Sequence, residues 1–496
     1  MTDATTAVKE ETFIGRFMVL KGAVRELWII FGTKIMTILA YSLVNSVLVL
    51  WLSSDLKFGD KSAGFVIASW SIILTTFTVM VGSLVDAVGI RRSLLVGFGL
   101  AALARFVMAF FAIQYIAVPF GLFPLALGEA LQTPVMVAAV RRFTTTKQRS
   151  IAFSVYYSMM NVGFAIAGYV VDKVRGGLGE YGHFTVPYLG IQISTYQTII
   201  LLGMLCTLPN LILTWFAMRE GVEATDEGVK ITPAVVKYQG ESFGNAFLLS
   251  SRDAMADWWR IFSSLWQQPA FYRFLAFFGF VVFVKFILYH FYYTFPKFGI
   301  RELGEGAPIG QLFGTLNAVV VIILAPIVGA LTQKFTAYKS VIIGTTIAAL
   351  SVFLMAVNPV MFQPLADGPF GSLIAWWLNL DIVSKPLNPL FPAIVLTVFI
   401  YSIGEAFYSP RLYEYPAAIA PKGQEGSYMA LSMLPYFFAK FLVGPLSGFL
   451  LAAYCPAEGA RNSQMIWVWV GGMALVTPIG LLLAKRYIQV HEAGRE

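Results

Sequence analysis

From residue 26 onward the chain alternates long apolar runs with short polar turns bearing Gly or Pro. A helix needs about 20 mostly apolar residues to cross a bilayer, with its backbone hydrogen bonds satisfied internally. Twelve runs meet that requirement, at approximately 26–52, 62–85, 92–115, 119–140, 151–171, 194–218, 270–296, 308–332, 338–358, 388–410, 427–453 and 464–484. The longest hydrophilic interval, from about Arg219 to Gln268, divides them six and six. The pattern therefore predicts an all-α integral membrane protein with an N-terminal bundle (1–218), a linker (219–269) and a C-terminal bundle (270–496). The second part of the linker gathers Trp258, Trp259, Phe262, Leu265 and Trp266 on one broad helical face. That stretch is either an interfacial helix or a plain connector on the inner surface.

Composition agrees with the pattern: 58% of residues are hydrophobic and 12% charged, with mean hydropathy +0.72, whereas soluble domains carry about 25% charged residues. The net charge of +8 does not point to nucleic acid, because the basic residues lie between apolar segments, where they set topology against the lipid bilayer. With both termini inside, the inner segments and adjoining span ends hold 23 of the 35 Lys and Arg, and the outer loops hold 8. Both ends are expected in the cytoplasm, and a plasma or bacterial inner membrane is the default location. The first 25 residues are polar and the first apolar run is too long for a signal-peptide core, so no cleaved signal is expected. Cys206 and Cys455 form no disulfide framework and no zinc spacing, and no phosphate loop or catalytic constellation appears. The expectation is a non-enzymatic, monomeric protein without a cofactor.

Gly404-Glu405-Ala406-Phe407-Tyr408-Ser409-Pro410 nearly repeats Gly128-Glu129-Ala130-Leu131-Gln132-Thr133-Pro134, 276 positions earlier. A second echo joins Val81-Gly82-Ser83-Leu84 and Arg92 through Gly97 to Val328-Gly329-Ala330-Leu331 and Lys339 through Gly344, at an offset of 247, and both run into Ala-Ala-Leu. The connection from about Asn358 to Asn388 absorbs the difference. Two six-span halves in the same orientation are a parallel repeat of the kind secondary transporters use.

Gly82-Ser83-Leu84-Val85-Asp86-Ala87-Val88-Gly89-Ile90-Arg91-Arg92 resembles the Gly-x-x-x-Asp-x-x-Gly-x-Arg-Arg loop of the major facilitator superfamily. That resemblance implies the superfamily's twelve-helix fold and a conformational latch at Gly82, Asp86, Gly89, Arg91 and Arg92, with Gln333 in place of Asp86 in the second half. A plain topology-setting turn is the alternative. Tyr156-Tyr157-Ser158-Met159-Met160-Asn161-Val162-Gly163 and the Gly404–Pro410 stretch resemble the fifth and tenth spans of the proton-coupled oligopeptide transporter branch. The first span departs: Ala23-Val24-Arg25-Glu26-Leu27 keeps one glutamate of the branch's Glu-x-x-Glu-Arg and loses the arginine in register. The branch's fourth-span lysine is also absent, and Glu129 is the ionisable group there.

Lys34, Arg105, Glu129, Lys285, His290, Glu405 and Lys440 fall inside proposed spans. Ionisable groups in a membrane are costly and face the interior or pair with one another. Four cations against two carboxylates favour an anionic or zwitterionic small-molecule substrate. Glu405 and Glu129 are the proton-coupling candidates, because burial and a neighbouring cation pull a carboxyl in opposite directions. Arg105, Asn161, Lys285, Tyr289, His290, Lys440, Lys34 and Tyr157 are the candidate substrate groups, each with a structural alternative such as an interhelical hydrogen bond or static ion pair. The sequence thus predicts a secondary transporter working by alternating access and linked to protons. A proton-independent facilitator and a non-transporting sensor of the same fold are the alternatives.

Overall fold

The computed structural model describes residues 19–231, 243–332, 335–412, 415 and 434–489. Among the described residues eleven helices are long and apolar enough to cross a membrane, and the 29-residue helix Asp60–Val88 fills the second position in the order. A helix stands at each of the twelve predicted positions, and residues 427–433 of the predicted eleventh span lie outside the described residues. The helix bounds shift where local chemistry overrides hydropathy. The fifth helix runs Thr146–Leu178, seven residues past the predicted end, so Asp172 and Arg175 ride on its last turns. The fourth span begins at Gln114 and passes through a wide turn at Ala117–Leu122, which accommodates Pro119.

Two short antiparallel hairpins were not foreseen. His183–Thr185 pairs with Gln192–Ser194 between the fifth and sixth spans, and Val222–Thr225 pairs with Gly228–Ile231 at the start of the linker. The sixth span starts on a capping box, in which Ser194 Oγ accepts from Gln197 N at 3.0 Å and Gln197 Oε1 accepts from Ser194 N at 2.9 Å. The linker's aromatic stretch forms the helix Phe243–Leu265 against the second span. Leu265 is buried and Trp259 and Trp266 are exposed; the side chains of Trp258 and Phe262 lie outside the described set. The Asn358–Asn388 connection carries a short apolar helix, Pro369–Leu378.

The repeat is explained by close packing. Gly128 seats on the third span, where an added Cβ would lie 2.8 Å from Ala101 N, and a Cβ on Gly97 would lie 3.2 Å from Gly128 O. In the second half a Cβ added to Gly404 would lie 2.6 Å from Gly344 O and 2.7 Å from Ala348 N. Small residues at these four positions let the glutamate-bearing helices meet their neighbours backbone to backbone. In both halves the glutamate helix stops where the motif turns: Phe123–Ala130 ends before Thr133-Pro134, and Leu390–Tyr408 ends before Ser409-Pro410.

The first six spans meet the last six along two seams, the second span against the eleventh and the fifth against the eighth. Glycines again set the separation. A Cβ on Gly64 would fall 2.3 Å from Gly444 O, and one on Gly168 would fall 2.4 Å from Gly310 O.

Candidate functional site

One buried polar cluster is built around Glu129. Its Oε1 accepts from Arg105 Nη2 at 2.9 Å, and Arg105 Nη1 donates to Thr207 Oγ1 at 3.0 Å. All three are buried, and a desolvated guanidinium–carboxylate pair of this kind is expensive to break by removing one partner. Lys440 of the eleventh span is close enough for its charge to act on Glu129. The Lys440 ammonium donates to Tyr41 Oη at 3.3 Å and sits 3.9 Å from the centre of the Trp70 ring. Tyr289 faces the same ammonium at 6.0 Å and stacks on Tyr293. Glu129 thus pairs with Arg105 of its own half and lies within reach of the charge of Lys440 of the other. Glu129 Oε2, Arg105 Nε, Trp70 Nε1 and Tyr293 Oη are buried without a protein hydrogen-bond partner. Buried polar groups are normally paired with protein or water.

A second group lies in the last six spans. The Lys285 ammonium lies over the Tyr408 and Tyr436 rings, at 4.6 and 4.4 Å, an arrangement that holds a cation by the ring faces, and it makes no salt bridge among the described residues. Glu405 is half-buried and accepts from Asn317 Nδ2 at 2.8 Å, while Asn317 also donates to Ser402 Oγ at 2.9 Å. His290 is fully buried, its Nδ1 2.7 Å from Thr294 Oγ1 and its Nε2 without a partner. The two repeated glutamates therefore differ. Glu129 is held by a cation, Glu405 by an amide.

A third group lies on the first and fifth spans. Lys34 is buried with its ammonium 4.5 Å from the centre of the Tyr156 ring, and Tyr156 Oη is unpaired. Asn161 donates to Tyr157 O at 3.1 Å, a contact within its own helix rather than across the bundle. Lys34 stands seven residues before Tyr41, about 10 Å along the helix at 1.5 Å per residue.

Residues 30–377 match the sequence profile of the Major Facilitator Superfamily. The chain belongs to that superfamily. It is a multi-pass membrane transport protein, not an enzyme, and the fold of solved superfamily members extends over nearly its whole length. A POT family transporter in complex with 5-aminolevulinic acid superposes with a TM-score of 0.69 at 14% identity, covering 97% of this chain and 98% of that one. A peptide transporter POT in complex with sulfate gives 0.65 at 16% identity, over 95% and 98%. A nucleoside transporter gives 0.60 at 14% identity, over 92% and 99%. Among curated protein sequences nothing matches the chain.

The superfamily loop holds its own half together. Gly89, with φ of 92°, is the single residue between the second and third helices and occupies a backbone region that favours glycine. Arg91 donates to Thr214 O at 3.3 Å and Trp215 O at 2.6 Å, and Arg92 pairs with Glu220 at 3.1 Å. These contacts tie the loop to the end of the sixth span. Gly82 and Asp86 lie on the second helix with side-chain surroundings outside the described set, and Gln333 lies outside the described residues. The arginine missing in register from the first span has a substitute in space: Arg219 grips the buried Glu26 with two hydrogen bonds, at 2.7 and 3.0 Å.

Sequence reasoning missed the contacts that join the halves at the end opposite the described helix ends Arg25 and Ile488. Asp172 Oδ1 and Oδ2 accept from Gly310 N at 2.9 Å and Gln311 N at 2.6 Å, capping the start of the eighth span. Arg175 donates to Ala307 O at 2.7 Å and pairs with Asp172 and Glu180, and Glu180 accepts from Gly306 N at 3.0 Å. Burial alone would raise the Glu180 carboxyl, but Arg175, Tyr196 and the Gly306 N–H outweigh it and hold it below the usual carboxylate range. On the other seam Asp60 pairs with Lys297 at 2.6 Å and Arg301 at 3.0 Å. The available signal was the Asp-x-x-Arg spacing of Asp172 and Arg175, which is legible only once the helix is known to continue past 171.

Proposed function

We propose that this transporter moves a small anionic or zwitterionic organic solute by alternating access, with proton movement linked through Glu129. Two rigid bundles, residues 1–218 and 270–496, rock about the Glu129 cluster while 219–269 connects them. The observation that carries the reading is the buried Glu129–Arg105 pair of one half, with Lys440 of the other half near enough for its charge to act on it. While Glu129 is ionised it cancels one of these cations and draws the halves together at mid-membrane. A proton on Glu129 removes that attraction and leaves Lys440 and Arg105 to a substrate carboxylate. When the substrate leaves, the cations again favour the ionised acid and the proton departs. Substrate and proton then travel together because each favours the other's binding.

Lys285 in its tyrosine cradle and Lys34 beside Tyr156 add positive sites along the same interior, which supports an anionic or zwitterionic cargo. The structural relatives include proteins in complex with 5-aminolevulinic acid, an amine and carboxylic acid in one molecule, and with sulfate. Both chemistries suit this interior. Tyr41, Trp70 and Tyr289 would pack the apolar part of the solute. Glu405, satisfied by Asn317, favours a supporting role for that carboxylate, and a carrier in which Glu129 is also static would be the proton-independent alternative.

A thermal-shift panel of anionic, zwitterionic, neutral and cationic solutes on the purified chain tests the cargo class. Stabilisation by anions or zwitterions is expected. Stabilisation by cations alone would overturn it.

A further inference from the structure

Beside the seam of the second and eleventh spans, the eleventh and twelfth spans line a groove of about 540 Å³ that the transport site does not use. Its walls are Phe449, Leu450 and Tyr454 of the eleventh span and Trp469 and Met473 of the twelfth, and Lys61 of the second span stands at its edge. All of these residues lie at the end of the bundle where the second helix begins, the eleventh ends and the twelfth begins. Trp469 Nε1 donates to Tyr454 Oη at 3.0 Å, a hydrogen-bonded pair of the kind that marks the level where headgroups meet hydrocarbon. From Tyr454 the apolar wall descends to Leu446, eight residues or about 12 Å along the helix, into the hydrocarbon zone.

The charge at the mouth is uncommitted. Asp60 is taken by Lys297 and Arg301, whereas neighbouring Lys61 is exposed, leans over the Phe449 ring at 5.2 Å, and pairs with no carboxylate among the described residues. A lone ammonium above an aromatic collar, over an apolar trough one acyl segment deep, is complementary to one molecule of the surrounding solvent. We propose that this groove binds a membrane phospholipid with an anionic headgroup, its phosphate at Lys61 and an acyl chain along Leu450 and Met473. One edge comes from the first half and the walls from the second, held together by the contact of Gly448 with the backbone of Asp60 and Lys61. The bound lipid therefore favours the arrangement in which this end is closed.

Native mass spectrometry of the delipidated full chain, titrated with phosphatidylglycerol or with phosphatidylcholine of the same acyl chains, tests the site directly. The intact chain should retain phosphatidylglycerol with about five-fold higher apparent affinity, the preference given by the ~1 kcal/mol of one lysine facing an anionic lipid. Lys61→Gln should bring phosphatidylglycerol down to the phosphatidylcholine level. Ala453→Trp, at an exposed wall position, should weaken both lipids by filling the trough. An undiminished headgroup preference in Lys61→Gln, or unchanged retention of both lipids in Ala453→Trp, would overturn the proposal. Neither readout depends on the transported solute.

Discussion

Replacing Asp172 with Ala removes the acceptor of two buried backbone N–H groups, Gly310 at 2.9 Å and Gln311 at 2.6 Å, that belong to the other half of the molecule. A hydrogen bond to a charged group contributes about 1.5–3 kcal/mol net, so the pair is worth about 3–6 kcal/mol to the closed arrangement. Arg175 still reaches Glu180 and Ala307 in the variant, so the seam is weakened rather than abolished. Even the lower figure, about 3 kcal/mol, shifts the balance between closed and opened states by about 150-fold. Spin labels at the exposed positions Lys57 and Glu458, one in each half, on a Cys206→Ser, Cys455→Ser background, would report the separation by double electron–electron resonance. The intact protein should show a dominant short distance, and Asp172→Ala a longer population that becomes the major one. An unchanged distribution in the variant would refute the assignment of Asp172 as a clasp between halves.

Three further outcomes follow from the same structure. Burial pushes the Asp55 carboxyl from 3.8 up to about 6 against the opposing Ser194 hydroxyl, Lys57 and His183. The folded state thus holds that proton more tightly than the unfolded chain, and the stability it contributes is complete below pH 3.8 and lost as pH rises to about 6. Asp55→Asn should therefore raise the melting temperature at about pH 7.5 and leave it unchanged near pH 4; an equal shift at both would contradict this. Gly404→Val should lower the melting temperature by the equivalent of about 1–3 kcal/mol or more, because its side chain would meet Gly344 O and Ala348 N, and Gly128→Val should behave alike in the first half. Lys285→Gln, which leaves the Tyr408 and Tyr436 rings without their cation, should weaken binding of an anionic solute by about tenfold in a thermal-shift titration, the ~1.4 kcal/mol of one charge-assisted contact; unchanged affinity would remove Lys285 from the site.

What the sequence made legible was whatever depends on local period and composition. Twelve apolar runs declare twelve helices, since a bilayer leaves the backbone few other options. The doubled Gly-Glu-Ala motif declares the repeat, and the packing of Gly128 on Ala101 and of Gly404 on Ala348 shows the steric demand that the glycines meet. Partners distant in the chain were not legible. Lys440 and Tyr41 are 399 positions apart, and Arg219 and Glu26 are 193 apart; no local pattern joins such pairs. Glu129 and Glu405 share their flanking residues, and the resemblance already set them apart, with Glu405 matching the branch's tenth span and Glu129 standing where the branch has a lysine; their partners, Arg105 for one and Asn317 for the other, come from neighbouring helices and were not legible. The clasp residues Asp60, Asp172 and Glu180 were hidden for another reason: polar residues at span ends are what any membrane helix shows.

The central claim concerns Glu129, and gradient-driven uptake tests it most directly. Proteoliposomes carrying the intact chain, Glu129→Gln or Glu405→Gln would be loaded with buffer and exposed to an inward proton gradient and a solute identified in the thermal-shift panel. The intact chain and Glu405→Gln should accumulate the solute above its equilibrium level. Glu129→Gln should exchange solute across the membrane in counterflow yet fail to accumulate it, and gradient-driven accumulation by Glu129→Gln equal to that of the intact chain would contradict the account.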